Sequence, residues 1–421
     1  MSGAQIHRLS NGVRVVVDPM PGLESAALGV WIEAGARDEP RELNGVAHLF
    51  EHMAFKGAGA RDARALAEAF ESVGASANAA TGYERTAYFA RALSEHAPAA
   101  LELILDMLLE PRWLADELER EKQVVLQELA QAKDDPEDCA FELHQACVFD
   151  GQPLGRSILG SAETLARIEV QTLTAFQKSH FTANSIVVSL AGRFDEARAL
   201  SLCEARLGSA PARPKPERQA GVAREGVRIE ARRSAQAHLA LSWAGPSLRE
   251  EALASSRVLA EILGGGMASR LFQEVREERG LAYAIDCFLD VYSDVGRLCV
   301  YAGCPSRAAA SVIEVCLRNL LQLANDGPTY WELQRAKAAI ASQLLMGAES
   351  AAARAEARAA QLLTFGRVIE LAEVRAQVEA VTVESVALSA QEALRGAACA
   401  GAVGARGVLQ GALEQLANLR I

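Results

Sequence analysis

Apolar positions along the chain change period several times, and each change marks an expected element. In "NGVRVVVD" (11–18) an Asn-Gly turn leads into Val15, Val16 and Val17, which predicts a strand. The run "SAALGVWIEAG" (25–35) predicts the strand paired with it. From residue 44 the apolar spacing lengthens to that of a helix over 44–56, and again over 62–74, where Gly74 closes it. Residues 75–93, "ASANAATGYERTAYFARAL", read as two short strands joined near Gly82. Two longer helices follow, "HAPAALELILDMLLE" and "ADELEREKQVVLQELAQAKDD", the second stopping before Pro136. A buried-type strand lies within "SIVVSLAGRFD" (185–195).

The pattern then breaks and restarts. "GSAPARPKPERQAG" (208–221) carries three prolines and few large apolar residues, so it reads as a linker. Beyond it, Gly226-Val227-Arg228-Ile229 echoes Gly12-Val13-Arg14-Val15, 214 positions earlier. The helix "EEALASSRVLAEILGG" then stands where 44–56 stood, and "GLAYAIDCFLDVYSDVGRLCVYAGC" supplies paired strands before two long helices. The expected fold is α+β: two structurally similar domains, each an antiparallel-rich mixed sheet packed with helices. Their expected limits are 1–207 and 225–421, with a linker over 208–224.

Composition narrows the partners. The chain has 421 residues, half of them hydrophobic, which suits more than one core. A formal charge of −11 and the lack of a dense Lys/Arg block argue against nucleic acid and anionic membranes. No run of eighteen apolar residues occurs, so no membrane span is expected, and the N-terminus has no signal-peptide pattern. A bacterial cytoplasmic location is the expectation. Eight scattered cysteines without a Cys-x-x-Cys pair read as small buried hydrophobes in a reducing compartment.

The stretch with most chemistry is "HLFEHMAFKG" (48–57). His48 and His52 stand at i and i+4, so on a helix both imidazoles can reach one ion. Glu51, between them, sits at the edge of that face, where it can act on water without ligating. The order His-x-x-Glu-His is the inverzincin pattern of zinc peptidases. Catalytic zinc takes three protein ligands, so a third must come from elsewhere. Glu121 and Glu128, seven apart on one predicted helix, are both candidates. Leu118, Val124, Val125 and Leu129 are expected to anchor that helix in the core. On these residues alone, two structural histidines remain an open alternative.

"GVAHLFEHMAFKG" resembles the active-site helix of the pitrilysin/insulysin family of zinc metallopeptidases, in particular the small two-domain bacterial type similar to the mitochondrial processing peptidase β subunit. The resemblance implies one zinc ion per chain, held by His48, His52 and a glutamate 76 positions after His52, which here is Glu128. It implies Glu51 as general base and Glu121 as a supporting acid. "SRLFQEVREERGLAYAI" (269–285) is similar to the family's second-domain motif, which places Arg276 and Tyr283 on the substrate carbonyl. "SANAATGYERT" is similar to the edge strand whose Asn78 and Ala79 pair with an extended peptide, and Phe55 would line the pocket before the scissile bond.

The function so implied is a zinc endopeptidase acting on peptides in an enclosed chamber. Larger relatives surround that chamber with four domains, so a two-domain chain would form half of a clamshell. A homodimer is expected, or else a heterodimer with an inactive homologous subunit. The competing role is a non-catalytic structural or peptide-binding subunit, as in respiratory-complex core proteins. His7, His96, His144, His180 and His238 have no spaced partner and read as surface or core residues. Gly264 to Gly266 reads as a turn.

Overall fold

Strand Ile186–Gly192 is buried at every position, so it needs a neighbour at both edges and cover on both faces. A computed structural model, describing residues 3–396 and 398–418, puts it inside a six-stranded sheet. In chain order the first strands are β1 (Gln5–Arg8), β2 (Arg14–Pro19), β3 (Ser25–Ile32), a small hairpin β4 (Gly57–Ala58) and β5 (Arg61–Asp62), β6 (Ser76–Thr81), β7 (Thr86–Leu93) and β8 (Ile186–Gly192). The sheet order is β1-β2-β8-β3-β7-β6, with only β2 and β8 parallel.

This corrects one expectation. The strands over 11–18 and 25–35 do not pair with each other, because β8 stands between them. β8 faces β2 through Arg14↔Val187 and β3 through Leu28↔Leu190. A strand apolar on both faces is stable at the centre of a sheet, and β8 takes that place although it arrives some 150 residues later.

The second sheet repeats the topology. Its strands are β9 (Gly226–Ala231), β10 (Gln236–Gly245), β11 (Ala284–Val291), β12 (Gly296–Pro305) and β13 (Cys399–Gly404), in the order β11-β12-β10-β13-β9. As β8 runs parallel to β2 in the first sheet, β13, the last strand in sequence, runs parallel to β9; every other pairing is antiparallel, and β1 has no counterpart here. The repeat read from element order is therefore a repeat of strand order.

The chain separates into two compact units that are not contiguous in sequence. The first comprises Met1–Leu129, Arg156–Arg218 and Leu345–Glu370; the second, Ala130–Gly155, Gln219–Leu344 and Leu371–Ile421. A single cut at the linker does not reproduce this division, because each sheet takes one covering helix from the other half of the sequence. In the first unit, helix Ala351–Phe365 lays Ala355, Ala359 and Leu362 on Val16, Trp31 and Val187. Arg354 and Arg358, one turn apart on that helix, both bond the fully buried Asp18 of β2. The proline-rich stretch is no free tether over its first part either. Arg218 donates two hydrogen bonds to Asp38, at 2.7 and 2.8 Å, and Lys215 pairs with Glu33.

In the second unit the helix Pro136–Val148 crosses β13 at Gly401. A Cβ at Gly401 would lie 2.3 Å from both Ala140 O and His144 N, so only glycine permits this approach. His144 is thereby sealed against β10, with Nε2 2.6 Å from Ser242 Oγ, and Arg297 donates to the same hydroxyl at 3.0 Å. All eight cysteines are buried and unpaired, as small hydrophobes would be.

Burial, helped by the charge of Arg297, lowers the His144 pKa to about 3. Its neutral form is the folded form. Above the ordinary pKa of 6.5 the full stability is present; as pH falls from 6.5 towards 3, only the unfolded chain takes the proton. The expected loss at pH 4.5 is about 3 kcal/mol from this one group. Urea unfolding of the wild type and His144→Gln at pH 7.5 and 4.5 measures it: the wild type should lose about 3 kcal/mol more than the variant, and equal losses would refute the assignment.

Candidate metal centre

The first four helices of the chain are α1 (Val46–Ala54), α2 (Ala63–Ser72), α3 (Ala97–Leu109) and α4 (Ala115–Asp134), and α1 and α4 carry the chemistry. Helix α1 is amphipathic in an unusual sense. Val46, Ala47, Leu49, Phe50, Met53 and Ala54 are buried, while His48, Glu51 and His52 share the remaining, half-buried face. Its N-terminus has no cap from its own leading residue. Instead the buried carboxylate of Glu39 accepts from the N–H groups of Gly45 (2.8 Å) and Ala47 (2.7 Å) and from Asn44 Nδ2 (2.7 Å). Burial pushes the Glu39 pKa up to about 7, while these hydrogen bonds and nearby Arg156 pull it down. Glu39 thus fixes where the helix begins, and so where both imidazoles point.

Helix α4 meets this face. Leu118, Val125 and Leu129 are buried as expected, but Val124 is 38% exposed, a correction to the sequence reading. Val125 takes the inward position seven residues after Leu118, which turns its neighbour Val124 to the solvent side. The same inward stripe carries Glu121, and Glu128 lies seven residues beyond it.

His48 Nε2 and His52 Nε2 lie 3.8 and 3.7 Å from Glu128 Oε2, and one ligand atom from each of the three residues falls within 4.8 Å of the others. In a tetrahedral site with bonds of about 2.1 Å, ligand atoms stand roughly 3.4 Å apart, so each imidazole needs to approach Glu128 by only a few tenths of an ångström. The hydrogen bonding matches. His52 Nδ1–H donates to Glu121 Oε2 at 3.0 Å, which leaves the Nε2 lone pair directed at the cluster. Glu121 is buried and its other oxygen pairs with Lys56 Nζ at 2.7 Å. Burial, with His52 adding to it, lowers the His48 pKa to about 4, so His48 is neutral and available as a ligand. The residues present fit a zinc ion. Among the described residues this is the one group of three or more His, Cys, Asp or Glu able to hold a metal.

Glu51 leaves the three-residue cluster and turns to the sheet. Its carboxylate accepts from the hydroxyl of Thr81 at the end of β6, and burial raises its pKa above the usual carboxylate value. The fully buried Tyr88 lies beneath, close enough for the charge of Glu51 to raise its phenol pKa further. Neither Thr81 nor Tyr88 was visible as a site residue in the sequence. Nor were Lys56 and Glu39, since nothing in linear spacing links them to the histidines.

β6 is an edge strand, paired only with β7. Asn78 and Ala79 lie on it, and Asn78 Oδ1 accepts from the Ala79 N–H at 2.9 Å. Phe55 ends α1 and packs partly buried on the core of the first unit. Arg276 and Tyr283 belong to the second unit. Arg276 lies in the π-helical turn Phe272–Glu278, its guanidinium 4.7 Å above the Phe272 ring, and Tyr283 immediately precedes β11. The helix Leu253–Leu263, which matches α1 in element order, carries no histidine.

Comparison with known proteins adds the following. Residues 14–162 match the family model described as insulinase (peptidase family M16), and residues 167–340 the one described as peptidase M16 inactive domain. An uncharacterized zinc protease of Mycobacterium tuberculosis is 35% identical over 414 residues, covering 97% of this chain and 94% of that protein. Among solved structures, a peptidase M16 inactive domain from Pseudomonas fluorescens superposes with a TM-score of 0.89 at 22% identity, over 96% of this chain and 98% of that one. A chain of complex III2 from Candida albicans gives 0.88 at 19% identity over the whole of both chains. At such identities these two structures speak for the fold alone.

Proposed function

The chain belongs to peptidase family M16, and from that premise we propose that it is a zinc-dependent endopeptidase acting on peptides or unstructured polypeptides. The observation that carries this reading is the convergence of His48, His52 and Glu128, with Glu51 on the same helix face. A zinc ion held by those three would supply Lewis acidity, making water nucleophilic near neutral pH.

The chain's own residues supply the rest. Glu51, whose raised pKa lets it pick up a proton and give it back, takes the proton of the attacking water and delivers it to the leaving amide nitrogen. Thr81 holds that carboxylate in place, and Glu121 holds the His52 tautomer. The free edge of β6 at Asn78 and Ala79 receives the substrate as an added strand, a mode that demands little of its sequence. Phe55 borders the position before the scissile bond. Arg276 and Tyr283 contact the substrate peptide, Arg276 as a donor to a carbonyl.

A homodimer completes the chamber, since one chain carries both the histidine motif and the Arg/Tyr pair; a heterodimer with an inactive homologous subunit is the alternative. The location proposed is the bacterial cytoplasm. A non-catalytic, core-protein-like role is the competing reading, favoured only by similarity of fold. Metal analysis with peptide cleavage separates them. One zinc per chain is expected, with hydrolysis of an unstructured peptide that a chelator abolishes and zinc restores. Stoichiometric zinc without hydrolysis would give the protein to the non-catalytic reading.

A further inference from the structure

Tyr283 ends a file of hydrogen bonds that crosses the second sheet. Its ring lies flat over Gly303 of β12, where a Cβ would come within 2.5 Å of Cζ and 2.6 Å of Oη. Gly303 stands opposite His238 of β10 in the register, so the bare glycine lets the phenol reach across to that imidazole. Tyr283 Oη lies 3.3 Å from His238 Nε2, and His238 Nδ1 lies 2.9 Å from Tyr301 Oη. Tyr301 donates in turn to Glu137 Oε2 at 2.8 Å, in the first turn of Pro136–Val148. His238 was expected to be an idle histidine; its partners come from neighbouring strands and from a helix 101 residues earlier.

The order of donors follows from chemistry. A carboxylate only accepts, so the Tyr301 proton points to Glu137 and the Tyr301 oxygen accepts from His238 Nδ1–H. His238 is buried and its pKa is lowered by that burial; Glu137 and Asp135 raise it and Arg232 lowers it. The neutral ring then presents a bare Nε2, which accepts from the Tyr283 hydroxyl. Burial and Glu137 also raise the pKa values of Tyr283 and Tyr301, so both keep their protons.

We propose that His238, Tyr301 and Glu137 are positioning residues that hold Tyr283 with its proton turned inward, so that towards substrate the resting phenol is a hydrogen-bond acceptor. It then fits a backbone N–H of an extended peptide, while Arg276, which can only donate, is the obligate partner of the carbonyl. Tyr283 is 48% exposed, so the side chain is within reach of such a ligand. Donation from Tyr283 to a carbonyl requires first giving up the bond to His238, the longest in the file. This inference rests on the reading that Tyr283 touches the substrate peptide.

Two measurements on the full-length zinc-loaded protein test it. Imidazole 15N NMR should show His238 at pH 7 as the neutral Nδ1–H tautomer, assigned by loss of the signal in His238→Gln. Tyr301→Phe should shift it to Nε2–H. A wild-type Nε2–H ring, or a doubly protonated one, would overturn the proposal. Binding of an unstructured peptide, measured in the Glu51→Gln background so that it needs no turnover, should weaken about 10-fold in Tyr283→Phe, in Tyr301→Phe and in the surface variant Glu137→Ala, one hydrogen bond's worth. Unchanged binding in all three would equally overturn it. Failure of the peptidase reading would show instead as absent hydrolysis by the wild type, with the tautomer intact.

Discussion

Glu51→Gln is expected to keep one zinc per chain and to lower kcat/KM for peptide hydrolysis by about 10³-fold, within the usual range for losing a general base. The substitution is nearly isosteric. Thr81 can still donate to the side-chain carbonyl of glutamine, so the residue should stay where the glutamate lies. No metal contact is removed, since the converging groups are His48, His52 and Glu128. What disappears is the basic oxygen that takes the proton. Zinc content by elemental analysis, beside steady-state cleavage of an unstructured peptide, reads both quantities on one sample. Ordinary turnover by the variant would sink the assignment of Glu51. Loss of zinc would instead show that the residue acts through the metal.

Glu128→Ala is expected to weaken zinc binding on the order of 10² to 10³-fold. Four-ligand zinc sites bind with roughly 10–16 kcal/mol, so one ligand accounts for about 3–4 of them. Because Glu128 is half-exposed on α4, the metal-free variant should unfold at the same temperature as the metal-free wild type. The contrast is Glu121→Gln. Glu121 lies behind His52, and removing its charge affects the metal only through the imidazole, so a loss of about 10 to 100-fold in affinity is expected. It also leaves the Lys56 ammonium beside a neutral amide, so this variant alone should lose thermal stability. Competition with a chromophoric chelator measures both affinities. Equal losses in the two variants would mean that Glu121 ligates.

The two variants also mark the reach of sequence reading here. The histidine face of α1 and the carboxylate stripe of α4 are legible because each depends on one helix and its period of 3.6 residues. The hairpin of β6 and β7 is legible for the same reason, as a local turn between local alternations. A spacing of 76 residues between His52 and Glu128 means nothing by itself; it gained meaning from likeness to a family. Val124 shows the limit within a single helix: spacing alone did not say which of two neighbouring valines lies at the edge of the buried stripe.

Amino-acid order by itself determined the elements, their repeat across the linker, and which side chains share one face of one helix, since backbone hydrogen bonding and side-chain direction there act over a few residues. Only the tertiary structure decided that β8 lies between β2 and β3, that each sheet is covered by a helix from the other half of the chain, and that Thr81 reaches Glu51. It alone set the file from Tyr283 through His238 to Glu137. Strand order and cross-strand register follow from burying apolar faces of the whole chain at once. That global constraint pairs residues whose separation in sequence carries no signal.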